Sequence, residues 1–118
     1  MERRPALALT VALLPVALTA RAAVSEEELT AAQWEAPATV EEAAARSALN
    51  QTLAAYLGES GRWVRIAHAG GAGGSAWAQA MRAWLITLGI PGDRIQIDPG
   101  LTEPQRLSLT VHAEGDQL

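Results

Sequence analysis

The sequence predicts a two-layer α/β domain of order βαβαββ, with a mixed sheet and two helices on one face. Three observations carry this reading. Residues 62–68 and 94–98 alternate apolar with polar side chains, the period of a half-buried strand. Between them a glycine-packed turn (Gly70, Gly71, Gly73, Gly74) opens into an apolar stripe at helical spacing: Trp77, Met81, Trp84, Leu85 and Leu88. Gly89-Ile90-Pro91 then closes the stripe, and a strand, helix and strand in that order form a crossover unit joining parallel strands.

Residues 1–22 read as a cleaved export signal. Arg3 and Arg4 give a positive start, Ala6 to Ala20 an apolar core, and Ala20-Arg21-Ala22 a small-x-small cleavage site. The core is shorter than the roughly 20 residues that cross a bilayer as a helix, and Pro15 interrupts it, so no stable membrane insertion is expected after cleavage. Residues 23–38 are expected to form an extended arm or edge strand, with Glu26-Glu27-Glu28 solvated and a strand within Leu29 to Glu35 closed by Pro37.

One domain is expected over 39–113. Thr39-x-x-Glu42 is a capping box, and Val40, Ala44, Ala48, Leu49, Leu53, Tyr56 and Leu57 recur at helical spacing up to Gly58, which predicts one continuous first helix. In the second strand Val64 and Ile66 point to the core while Trp63, Arg65 and Ala67 face the other way. Ser75 is the expected N-cap of the second helix. The strand at 94–98 turns Ile95 and Ile97 inward and is broken by Pro99-Gly100. The last strand, 106–112, turns Leu107, Leu109 and Val111 inward, and residues 114–118 are expected to fray. An open sheet face then carries Arg65, Gln96, Ser108 and Thr110 beside Trp63, which is either exposed or covered by the segment around Trp34.

Composition excludes several functions. The chain has nine arginines and no lysine, and loss of the signal leaves six of them against twelve acidic residues, a net charge near −6. Nucleic acid and anionic membranes need the opposite sign. With no cysteine, disulfides, thiolate metal sites and cysteine nucleophiles are impossible.

The chain resembles the OmpA-like domain, the βαβαββ module with which many Gram-negative envelope proteins hold peptidoglycan. The resemblance rests on Leu53-x-x-Tyr56-Leu57, Val64-x-Ile66-x-His68, Gly74-Ser75 and Leu85-x-x-x-Gly89-Ile90-Pro91-x-x-Arg94-Ile95. It implies a periplasmic protein with peptidoglycan or an envelope protein as partner. In that family an aspartate after the second strand's histidine and an arginine early in the following helix grip the diaminopimelate of the peptide stem. Here His68 is followed by Ala69-Gly70-Gly71, the arginine's place falls near Trp77, and Arg82 lies further along, so the gripping pair is absent from this shortened version. Small exported bacterial envelope proteins with a Gly-Gly-x-x-Gly-Ser-x-Trp-Ala turn before a Gly-Ile-Pro are more similar still, and bring no activity to transfer.

Four candidate sites follow. The turn residues Gly71, Gly73, Gly74 and Ser75 offer backbone N–H groups to an anion. Gly71-x-Gly73-x-x-Ala76, with Asp98 ending the next strand, also has the outline of a dinucleotide fingerprint, although the chain lacks the strands for the second half of such a site. Trp63 and Arg65 form a candidate interaction surface. His68 and His112 are expected on opposite faces, His68 as a strand-end histidine bonded to backbone, so no metal site is expected. Ser75 has no orienting acid and no carboxylate pair suggests hydrolysis. The expectation is a non-catalytic envelope binding or accessory protein without cofactor, associated with the cell wall. The alternatives are a protein-interaction module that adds its open face, or an exposed last strand, to an envelope partner and, below it, anion or nucleotide binding at residues 70–75.

Overall fold

The computed structural model describes residues 23–115; the expected export signal and the last three residues of the 114–118 end lie outside them. Four strands and three helices follow in order: β1 (Ser25–Thr30), α1 (Val40–Ala45), α2 (Ser47–Leu57), β2 (Trp63–Ala69), α3 (Ala72–Thr87), β3 (Ile95–Leu101) and β4 (Arg106–His112). The sheet order is β1-β4-β2-β3, with β2 and β3 parallel and both other pairs antiparallel. This is the mixed sheet and α/β sandwich that the periodicities predict.

The register divides the side chains. Val64, Ile66, Leu107, Leu109 and Val111 are fully buried with Leu49, Ala78, Met81 and Leu85 of the helices, and Trp77, Trp84 and Leu88 pack against that core. The predicted α3 stripe therefore faces the sheet. On the other face Arg65 pairs with Thr110 and Gln96, and Ala67 with Ser108 and Asp98.

Several expectations are corrected. The first strand is Ser25–Thr30, ahead of the predicted 29–35, so Glu26 to Glu28 are strand residues. Paired with Thr110, Leu109 and Ser108 on one side only, they furnish a charged edge that discourages further pairing. The last strand, β4, lies inside the sheet between β1 and β2 and offers no edge to a partner.

The first helix is two helices. Arg46 takes extended dihedrals (φ −68°, ψ 125°), and its guanidinium Nε donates to the Glu35 carbonyl at 2.8 Å. This break shifts the helical phase: α1 buries Ala43, not Ala44, whereas α2 buries Ala48, Leu49 and Thr52. Val40 and Leu57 are left exposed. Half of the predicted capping box forms: Thr39 Oγ1 accepts from Glu42 N–H at 3.1 Å, whereas the Glu42 carboxylate accepts from Ala38 N–H at 3.0 Å, one residue before the N-cap. β3 runs past Pro99 to Leu101, with a register irregularity opposite Ala67–Ala69. As an edge strand it tolerates a residue without an N–H.

Candidate functional site

At the carboxyl end of β2 the chain turns directly into α3. Gly71 is the N-cap, at φ 104° and ψ 169°, a backbone region open to glycine and closed to ordinary side chains. Ser75 is not the N-cap: its N–H already donates to the Gly71 carbonyl at 3.1 Å, which places Gly73, Gly74 and Ser75 in the first helical turn. The N–H groups of Ala72, Gly73 and Gly74 precede that bond and have no acceptor within the helix. Gly74 also lets the helix approach the strand, since a Cβ there would run into the Ala69 carbonyl oxygen.

A groove of about 380 Å³ lies against this turn, lined by Ala69, Gly70, Gly73, Gly74 and Trp77 on one side and by Ala31, Pro104, Gln105 and Arg106 on the other. The second wall is the loop entering β4. Gln105 there holds φ 60°, in the left-handed region, and its carbonyl accepts from Ala31 N–H at 2.8 Å, tying the end of β1 to the rim. Arg106 brings the positive charge, balanced by Glu28 at 3.1 Å and Glu103 at 3.5 Å. The Trp77 Nε1–H is buried without an acceptor. The donors the groove offers are the helix N–H groups of the turn and the Arg106 guanidinium. A carboxylate or another acceptor-rich group is the chemistry they complement.

His68 stands beneath the turn, 4% exposed and on the core side, with Nδ1 2.7 Å from the Ala69 carbonyl oxygen. This is the backbone-bonded strand-end histidine that the sequence predicts. Arg82, the arginine nearest the place the resemblance makes relevant, donates to the Gly92 carbonyl at 3.2 Å and does not line the groove.

The open face corrects the reading of Trp63. Its ring is 6% exposed and stacks on His112 at 4.3 Å between centroids and 18° between planes, so it offers no exposed aromatic anchor. Arg65 remains half exposed and forms an ion pair with Asp98, whose Oδ1 also accepts from Gly100 N–H at 3.0 Å. The Arg65 guanidinium holds the Asp98 carboxyl below its ordinary value; burial opposes this, and the Gly100 N–H adds to it. Because Asp98 lies on the sheet face opposite α3 and is committed to Arg65, it does not complete a nucleotide site with the glycine turn.

The structure thus brings Gly73 and Gly74 together with Trp77, Gln105 and Arg106, and leaves Trp63 and Arg65 on another face. Sequence reasoning missed Gln105 and Arg106, because only the pairing of β4 between β1 and β2 carries that loop to the turn. Among the described residues no three histidines, cysteines or acids gather as metal ligands, and no helix is long and apolar enough to cross a membrane. No family model, no curated protein and no solved structure matches the chain.

Proposed function

We propose that this chain is a non-catalytic, exported binding protein of the cell envelope, and that the groove between the β2–α3 turn and the β4 loop takes a carboxylate of the peptidoglycan peptide stem. The observation that carries the reading is the convergence of donors in one concave place: unbonded N–H groups at the start of a 16-residue helix and the Arg106 guanidinium. The OmpA-like resemblance and the export signal point the same way. Arg106 supplies from a strand the charge that the family takes from its helix.

Co-sedimentation of residues 23–118 with purified sacculi tests the proposal. The protein is expected in the pellet at low salt, and Arg106→Ala is expected to shift it to the supernatant. Wild-type protein that stays in the supernatant refutes wall binding. A second reading, protein interaction through the open face, is favoured by Arg65 standing half exposed in a sheet face to which no described helix contributes core packing. It predicts that Arg65→Ala abolishes a pull-down from envelope extract that Arg106→Ala leaves intact.

A further inference from the structure

Between β1 and α1 the chain runs as a strap, residues 31–38, that meets the groove at one end and the break between α1 and α2 at the other. At the groove end Ala31 is part of the wall, and its N–H donates to the Gln105 carbonyl at 2.8 Å. A turn closed on itself follows: the Gln33 and Trp34 N–H groups both donate to the Thr30 carbonyl, and Gln33 Oε1 accepts from Thr30 N–H. At the far end Arg46 Nε donates to the Glu35 carbonyl at 2.8 Å, and its guanidinium stands 3.9 Å from the carboxylates of both Glu35 and Glu42.

The strap has room beneath it. The ladder of β1 ends at Thr30, Trp34 is only partly buried against the core, and a cavity of about 180 Å³ is lined by Leu29, Gln33, Trp34, Arg46 and Ala48 among others. Across the groove rim Gln105 keeps φ 60°, a conformation that a residue with a side chain holds only where its surroundings impose it. The bond from Ala31 is such a constraint, and Arg106, the next residue, carries the positive charge of the groove. Arg46 is therefore joined to Arg106 by contiguous links: the Glu35 carbonyl, the closed turn, the Ala31 N–H and Gln105.

We propose that residues 31–38 are a latched strap with Arg46 as its latch, and that the latch positions Gln105 and Arg106 at the rim of the groove without touching the ligand. The inference deepens the proposed function and rests on it for the ligand alone. Linkage makes the coupling reciprocal, so a ligand that prefers the latched strap slows its opening by the factor that latching adds to affinity. The test has two arms on ¹⁵N-labelled residues 23–118. Without ligand, Arg46→Ala is expected to speed amide hydrogen exchange at Ala31 and to shift the Gln105 and Arg106 amide resonances. Thr39→Ala is expected to leave these as in the wild type, and Arg46→Lys, which can still donate to the Glu35 carbonyl, to restore them in large part. Resonances of Gln105 and Arg106 that stay unmoved in Arg46→Ala overturn the proposal. With a soluble muropeptide carrying the stem peptide, wild-type Ala31 is expected to exchange more slowly, and Arg46→Ala to bind roughly three- to tenfold more weakly. Equal affinity in the two proteins overturns the coupling. Wild-type protein that binds no muropeptide strikes the proposed function alone, because the ligand-free arm decides the latch by itself.

Discussion

Gly73 and Gly74 are neighbours in one helical turn with opposite reasons for lacking a side chain. Around Gly73 a Cβ meets open space, so Gly73→Ala is expected to stabilise the fold by up to about 1 kcal/mol through helix propensity. Around Gly74 it meets the backbone carbonyl of Ala69, which cannot swing aside as a flexible side chain would, so Gly74→Ala is expected to cost about 1–3 kcal/mol. Urea denaturation of the two variants checks the pair. Asp98 gives a second residue-scale prediction. Its carboxyl titrates below the ordinary value of 3.8 in the folded protein, chiefly through its bond from Arg65, so its contribution is fully present above the unfolded value and lost as pH falls through the folded one. Asp98→Asn is therefore expected to lower the urea midpoint at neutral pH and to narrow the gap from wild type in acid below that value. Midpoints measured across the acid range test this, and a gap independent of pH would contradict it. Trp63 shows where residue reading stops: alternation put it correctly on the open face, but its burial depends on His112, its partner across the β2–β4 pairing.

Elements were legible where one face is apolar throughout. The β2–α3–β3 unit follows directly from two alternations and one stripe, and Val64, Ile66, Met81 and Leu85 are fully buried as those periods require. β1 was misplaced because its three consecutive glutamates read as a solvated tail. At a sheet edge Glu27 sits on the core-facing side opposite Leu109 yet is only partly covered, so the alternation left no mark in hydrophobicity. The break between α1 and α2 had no sequence signal either. Alanine runs through it, and the interruption is held by a tertiary bond from Arg46 to the Glu35 carbonyl. Two substitutions separate the local from the tertiary contribution. Thr39→Ala is expected to cost about 1 kcal/mol by removing the cap. Arg46→Ala is expected to cost about 0.5–1.5 kcal/mol and, unlike Thr39→Ala, to speed amide hydrogen exchange at Trp34 by releasing residues 31–38 from α1 and α2. Equal exchange in both variants would contradict the tether.

In the whole molecule the sheet order decides what the protein can offer. With β4 inside, the two edges are β1, charged with glutamates, and β3, interrupted by Pro99, and neither invites strand addition. The concave ground lies at the carboxyl end of β2 instead. The glycine half of the upper groove was legible as a turn before a helix; Gln105 and Arg106 were not, since they lie some thirty residues further on and arrive only through the topology. This convergence is the central claim, and a titration of the ¹⁵N-labelled protein with a soluble muropeptide carrying the stem peptide tests it most directly. The account predicts saturable shifts of the Gly73 and Gly74 amides and the Trp77 indole N–H, lost in Arg106→Ala. Resonances of the turn that stay still while the muropeptide binds elsewhere, or does not bind at all, would contradict it.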